Sequence, residues 1–296
     1  MIGVRRSILV CPGDKRGMVA KAATLPTDGV VLDLEDAVAA DDESRARARL
    51  ELAAALESLD FGGRSVAVRI NAVGGPWALQ DLLEIVPRVG SRLATVVVPK
   101  VSHPSEVGFV AHCLDALEAP GMPRLGIEIQ IETAAGLEAV SELATSSPRL
   151  EALIFGPGDF AADMGMPQTV IGGQALGYPG DVWHYPLTRI AVAARARGLQ
   201  VIDGPYSRLA DPVGLEQACR RAVALGVDGK WAIHPEQLAT INSEFAPSPE
   251  QVARAREMLA VVSAKGGASR LGEEMVDEAN LRMARAVLAR AREERA

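Results

Sequence analysis

Aromatic side chains are scarce in this sequence: Phe, Trp and Tyr together make up 4% of 296 residues. A core built without them relies on Ala, Val, Leu and Gly, whose small branched side chains suit layers inside a parallel barrel. Cysteine is nearly absent as well. Cys11, Cys113 and Cys219 are odd in number, far apart and without a CxxC spacing. That excludes a disulfide framework and a thiolate zinc site, and predicts reduced thiols in a cytoplasmic protein. Positive charge is in deficit, 31 basic against 38 acidic residues for a net charge of −7. A nucleic-acid surface needs a cationic face and is not expected, whereas a few local cations suffice for one small anion. No apolar run approaches the roughly 20 residues that span a bilayer. The N-terminal run Ser7–Val10 is broken by Cys11-Pro12-Gly13 and is too short for a signal peptide. A soluble chain with no membrane partner is expected.

What is present is a rhythm. Hydrophobic residues are 48% and charged residues 23% of the chain, an ordinary globular balance. Eight short apolar runs, Ser7–Val10, Gly29–Leu34, Ser65–Ile70, Thr95–Pro99, Gly126–Ile131, Ala152–Gly156, Gln200–Asp203 and Gly229–Ile233, have the composition of strands buried on both faces. Helix signals lie between them. Acidic residues open one helix at Asp42, Thr133 caps another with Glu138 and Glu142 along one face, and Asp211-Pro212 starts a third. Eight strands alternating with helices predict an α/β fold, a (β/α)8 TIM barrel. An open doubly wound sheet is the alternative, but no G-x-G-x-x-G follows the first strand. The glycine-rich stretch from Gly165 to Pro186 is long for a loop, and loops of that length are usually functional or disordered. Pro247-Ser-Pro249 punctuates the chain, and two further helices flank Gly266-Gly267. The expected division is a catalytic barrel over 1–246 and a small helical appendage over 247–296.

In such barrels the active site lies at the C-terminal ends of the strands. Those ends carry Asp33, Glu35, Asp36, Arg69, Asn71, Lys100, Glu132, Asp159, Asp203 and His234. Carboxylates gathered on one rim must pair with bases or bind a cation. Two outcomes are open. Asp33–Arg69 and Glu35–Lys100 are complementary pairs that could simply orient the rim. Glu132 and Asp159 lie beside a helix start and a glycine, and suit a hard divalent cation such as magnesium, which takes one or two carboxylates plus substrate and water. No His or Cys pairing supports zinc. His234, followed by Pro235, fits a capping and packing residue.

At these residues the sequence resembles the citrate lyase β-subunit and malyl-CoA lyase family of CoA-ester lyases, within the HpcH/HpaI aldolase superfamily. The matching stretches are Arg6-Ser-Ile-Leu-Val-Cys-Pro-Gly13, Leu32-Asp-Leu-Glu-Asp-Ala-Val38, Val68-Arg-Ile-Asn71, Val98-Pro-Lys-Val101 and Ile131-Glu-Thr-Ala-Ala-Gly136. Further along come Gly156-Pro-Gly-Asp-Phe-Ala-Ala-Asp-Met-Gly165, Ile202-Asp-Gly-Pro-Tyr206 and Gly229-Lys-Trp-Ala-Ile-His-Pro235. Asp181-Val-Trp-His-Tyr185 and the last two stretches look more like malyl-CoA lyases than the citrate lyase β-subunit. The resemblance implies that Glu132 and Asp159 bind Mg2+, with Mn2+ as a substitute, and that Arg69 contacts the reacting carbonyl. It places Lys15 and Lys21 near the CoA phosphates, with Gly158, Asp33 and Glu35 also contacting CoA or substrate. It nominates Asp277, in Gly272-Glu-Glu-Met-Val-Asp277, as a catalytic acid reaching a neighbouring subunit of a homotrimer or hexamer. Two departures stand out: Lys15 where the family often has Arg, and Ala279 where a proline often follows the aspartate.

The implied reaction is Claisen-type cleavage of a malyl-, methylmalyl- or citramalyl-CoA to acetyl- or propionyl-CoA and a 2-keto acid, glyoxylate or pyruvate. Three alternatives share the residues: a carrier-dependent citrate lyase β-like subunit, a malyl-CoA thioesterase, and a metal-dependent aldolase that does not use CoA.

Overall fold

The computed structural model describes residues 3–167, 170–174, 177–265, 269–271 and 274–291. The eight predicted strands form: β1 (Ser7–Pro12), β2 (Gly29–Asp33), β3 (Ser65–Arg69), β4 (Thr95–Val98), β5 (Gly126–Ile131), β6 (Leu150–Phe155), β7 (Gln200–Asp203) and β8 (Gly229–Ala232). Each pairs in parallel with the next, and β8 pairs with β1, so the sheet closes into a barrel. The expected (β/α)8 fold is the observed one.

Among the described residues, ten α-helices accompany the strands: α1 (Arg16–Ala22), α2 (Asp42–Ser58), α3 (Ala78–Val89), α4 (Pro104–Leu117), α5 (Ala134–Glu138), α6 (Val140–Leu143), α7 (Pro157–Asp163), α8 (His184–Arg195), α9 (Pro212–Ala224) and α10 (Gln237–Phe245). Their starts follow the sequence signals. Asp41 caps α2 by accepting from the Ser44 N–H, and Asp211 caps α9 by accepting from Gly214. Thr133 caps as expected, but the helix it opens is broken into α5 and α6 at Ala139. The predicted continuous face through Glu138 and Glu142 is therefore two short segments.

Side chains alternate across each strand, and one parity fills the barrel. Ile8, Val31, Ala67, Val97, Ala152, Ile154, Ile202 and Trp231 form that interior cluster. Two residues beyond Val31 and Ala67, the same parity carries Asp33 and Arg69 into the barrel mouth, where their Cα atoms are register partners. The opposite end is closed by a buried pair, Arg5 Nη1 to Glu128 Oε1 at 2.6 Å, with Thr95 donating to the same oxygen.

The chain divides into two compact units, Met1–Asn242 and Ser243–Ala296. In the second, α11 (Pro249–Lys265) and α12 (Glu278–Arg290) accompany an antiparallel hairpin of β9 (Ser269–Leu271) and β10 (Glu274–Val276). Val276 and Leu281 are buried there against Met258 and Leu259. The sequence predicts helices alone in this region; strands of three residues carry too little periodicity to show. Gly266-Gly267, and Gly272 and Glu273 of the aspartate motif, lie outside the described residues.

Candidate active site

The mouth is built on the turn that follows β2. The Asp33 carboxylate accepts from the backbone N–H groups of Glu35 (2.9 Å) and Ala37 (3.1 Å), satisfying donors no ladder reaches. Arg45 of α2 donates to the carbonyls of Leu34 and Glu35 while stacking 5.0 Å over Trp77. Asn71 adds a bond to the Leu34 carbonyl at 3.2 Å. The turn is thus clamped on both sides, and Glu35 is buried at the mouth.

Arg69 is the centre of this rim. Its Nε and Nη2 donate to the two oxygens of Asp33 at 2.7 and 2.6 Å, a fork-to-fork pair. Its Nη1 lies 3.1 Å from Glu35, 3.3 Å from Asp36 and 3.4 Å from the Gln130 Oε1, and its guanidinium stacks 5.6 Å over Trp231. Burial is the largest influence and works against the charge, but Asp33, Glu35 and Asp36 together outweigh it and hold Arg69 protonated well above the ordinary arginine range. Burial also pushes the Glu35 carboxyl upward, against the pull of Arg69 and Lys100.

Lys100 completes the rim from the end of β4. Its ammonium pairs with Glu35 and lies 3.5 Å from Asp36 and 3.7 Å from Asp159. Both pairs anticipated as rim salt bridges, Asp33–Arg69 and Glu35–Lys100, are present. Lys100 has φ +55°, the one non-glycine residue with positive φ among those described. Strain of that kind persists where surrounding bonds over-determine it. Here the Lys100 N–H donates to Glu132 Oε1 at 2.7 Å.

Glu132 follows the last residue of β5 and is 2% exposed. Gln130 Nε2 donates to its Oε2 at 2.9 Å. A Cβ at Gly156 would fall 2.1 Å from that oxygen, so the carboxylate occupies space only glycine leaves. Asp159, in the first turn of α7, has a side chain 41% exposed. Burial, and next the charge of Asp159, raise the Glu132 pKa to about 8. Around the mouth, Asp33, Glu35, Asp36, Glu132 and Asp159 stand against Arg69 and Lys100, five carboxylates against two cations. That imbalance, with the Glu132 and Asp159 carboxylates side by side, fits a divalent cation. No cluster of three or more His, Cys, Asp or Glu side chains suited to a metal occurs among the described residues. A cation at this place would find two carboxylates, Glu132 and Asp159, and would take its other ligands from substrate or water.

The other predicted residues fall in different settings. A Cβ at Gly158 would meet Ile171 at 3.2 Å. Ile171 is bonded through its N–H and carbonyl to Ser207, so Gly158 lets the 170–174 segment pack beside Asp159. Lys15 is exposed at the start of α1, paired with Asp14 at 2.7 Å. Lys21 lies inside the last turn of that helix, about 9 Å further along the axis by helical rise. His234 accepts from the Glu236 N–H, a local turn bond. Asp277, in the second unit, caps α12 by accepting from Ala279 and Asn280.

Sequence reasoning missed Gln130, Trp231 as the platform for Arg69, and the fully buried pair of Lys230 with Asp203 at 2.5 Å. The first two could have been found by applying strand parity from Val97 and Ala67 around the barrel. A hollow of about 580 Å³ lies elsewhere, bordered by Met166, Val170, Tyr178, Tyr206, Arg208 and Arg221. None of the rim carboxylates borders it among the described residues.

Comparison with known proteins gives a consistent neighbourhood. The L-malyl-CoA/β-methylmalyl-CoA lyase of Cereibacter sphaeroides (strain ATCC 17025 / ATH 2.4.3) is 38% identical over 301 residues, covering 97% of this chain and 94% of that protein. The (3S)-malyl-CoA thioesterase of Cereibacter sphaeroides (strain ATCC 17029 / ATH 2.4.9) is 33% identical, covering 86% and 82%. Among solved structures, the CitE protein of Mycobacterium tuberculosis in complex with magnesium, acetoacetate and coenzyme A superposes with a TM-score of 0.80 at 31% identity, covering 98% of this chain and 99% of that one. Residues 6–235 match the family described as HpcH/HpaI aldolase/citrate lyase. With the closed barrel and the carboxylates of its mouth, these matches show that the chain belongs to the HpcH/HpaI aldolase/citrate lyase family, as an enzyme of the carbon–carbon lyase class.

Proposed function

We propose that the chain is a magnesium-dependent lyase acting reversibly on a malyl-CoA-like 3-hydroxyacyl thioester. The products are acetyl- or propionyl-CoA and a 2-keto acid, glyoxylate or pyruvate. One observation carries this: the buried Glu132 carboxylate, beside Asp159, shares the barrel mouth with a guanidinium locked in place by Asp33. One pole suits a cation that chelates a keto acid, and the other suits a thioester oxygen. The names of the malyl-CoA lyase relatives support the substrate class, and the magnesium complexes of structural neighbours support the metal.

Glu132 and Asp159 would hold the ion, with the carboxylate and carbonyl oxygen of the keto acid and water completing the shell. Bound there, magnesium would polarise the keto acid oxygen and orient the fragment. Manganese, with similar ligand preferences, would substitute. On cleavage, electrons of the α–β bond pass to the thioester and its oxygen gains negative charge. Arg69, charged and fixed by its fork with Asp33, donates to that oxygen; such a donor supplies about 3 kcal/mol of barrier lowering. The β-hydroxyl loses its proton as the carbonyl forms, and the α carbon must gain one. Asp277 of a neighbouring subunit, in a homotrimer or hexamer, is assigned that transfer. Lys15 and Lys21 meet the CoA phosphates, and Gly158 and Glu35 shape the mouth. Residues 1–246 form the catalytic body and 247–296 the lid and assembly segment, in a cytoplasmic enzyme.

Hydrolysis of the same thioester is the second reading, favoured by the 33% identical thioesterase. A product assay on the purified chain alone separates them, using malyl-, methylmalyl- and citramalyl-CoA with and without magnesium. Cleavage gives an acyl-CoA and a keto acid in equal amounts, only with the metal. Free coenzyme A with no keto acid would overturn the lyase assignment, and no turnover at all would indicate a carrier-dependent subunit.

A further inference from the structure

We infer that Gln130 is a positioning residue whose side-chain amide ties Arg69 to Glu132 and so fixes the spacing between the two poles of the site. The inference rests on the roles given to those two residues above.

Along β5, Ile127, Ile129 and Ile131 alternate with Glu128, Gln130 and Glu132, and all six are buried. The polar set faces the barrel interior, as the contacts of Glu128 with Arg5 and Thr95 and of Gln130 with Arg69 show. Glu128 has a structural partner at the closed end. Gln130 sits midway, 2% exposed, at a level where the neighbouring interior side chains Val97, Ile154 and Ala67 are apolar. Leucine would fill such a position without the cost of burying an amide.

The hydrogen bonds explain the amide. Gln130 Oε1 accepts from Arg69 Nη1 at 3.4 Å, and Gln130 Nε2 donates to Glu132 Oε2 at 2.9 Å. An amide is an acceptor at one end and a donor at the other, so a single orientation serves a guanidinium and a carboxylate together. Flipped, it would set donor against donor and oxygen against oxygen. Glutamate could serve Arg69 only, and leucine neither. Arg69 is already rigid through its fork with Asp33. Through Gln130 that rigidity reaches one oxygen of Glu132, while the Lys100 N–H fixes the other. The carboxylate is therefore set relative to the guanidinium by direct bonds across the barrel interior.

Removal of residues that orient a metal ligand typically costs 10–100-fold in metal affinity or activity. Two variants test the coupling. Gln130→Leu removes both bonds; Gln130→Asn keeps an amide that is one methylene too short to span them. Mn2+ affinity is measured calorimetrically on substrate-free protein, alongside kcat, KM for each substrate, and the unfolding midpoint. Both variants should bind Mn2+ about tenfold more weakly and lose about 10–100-fold in kcat, with the thioester KM within about threefold. A second arm reads the linkage itself. Arg69→Lys should weaken Mn2+ binding several-fold in the natural background and by less than about twofold in the Gln130→Leu background. If Gln130→Leu does not fold, Gln130→Asn carries both arms. Affinity and kcat within about twofold of the natural protein in the variants, or equal Arg69→Lys effects in both backgrounds, overturn the proposal. Failure of the natural protein itself to bind Mn2+ instead defeats the metal assignment, and the coupling with it.

Discussion

Asp277 can be tested because its structural and chemical roles separate. It accepts from the backbone N–H groups of Ala279 (2.8 Å) and Asn280 (3.1 Å), and Asn280 Oδ1 accepts from the Asp277 N–H at 3.0 Å. The same carboxylate is the proposed proton carrier. Asparagine caps a helix about as well as aspartate, so Asp277→Asn keeps the cap and removes the basic oxygen. Asp277→Ala removes both, at a cost of about 1 kcal/mol, or about 2–4 °C in the unfolding midpoint. Loss of a general base or acid lowers turnover roughly 10²–10⁴-fold. Both variants should therefore show that fall in product formation and in solvent-deuterium exchange at the acetyl-CoA methyl group, while only Asp277→Ala is destabilised. Co-expression tests the neighbouring-subunit assignment. An equal mixture of Asp277→Asn and Glu132→Gln chains would regain about a quarter of the sites if each site draws the two residues from different subunits. Turnover of Asp277→Asn within about threefold of the natural protein would refute the proton role and leave a helix cap.

Other perturbations follow from the rim and its supports. Arg69→Lys loses the fork with Asp33, and kcat/KM should fall about 10²-fold or more in steady-state assays. Gly156→Ala places a Cβ 2.1 Å from Glu132 Oε2, so the carboxylate must move; metal-dependent turnover should collapse and stability drop by about 1–3 kcal/mol, read by calorimetry. Arg149, 3% exposed, is bonded to Asp115, Glu118 and the Leu125 carbonyl. Arg149→Met should lower the unfolding midpoint by about 5 °C at pH 7. Its bond to Asp115 lowers that pKa on folding, so this stabilisation is present above the unfolded carboxylate value and disappears as pH falls through the folded one. The midpoints of the two proteins should converge in strong acid.

The barrel was legible because strands buried on both faces write continuous apolar runs. The runs differ from the strands by a residue or two, as where β1 extends to Pro12 and β6 begins at Leu150. The rim carboxylates and bases were legible for the same reason, since a charge ending an apolar strand has few places to go. Gln130 was not legible. Set between Ile129 and Ile131, it gives no sign of which face it occupies until the parity of neighbouring strands is known. Nor could sequence show that Ala139 breaks the helix begun at Thr133, since alanine is a strong helix former. The β9–β10 hairpin was hidden by its brevity.

The left-handed backbone at Lys100 matters for anyone engineering this protein. Glycine there would relax the chain by about 1 kcal/mol, while removing the ammonium that Glu35, Asp36 and Asp159 share. That loss would leave the buried Glu35 facing Arg69 with one cation fewer at the mouth and would outweigh the strain relieved, so selection for heat tolerance would keep lysine at this left-handed position. A heat-selected library that returned Lys100→Gly would show instead that these ion pairs stabilise the fold by less than the backbone strain they accompany.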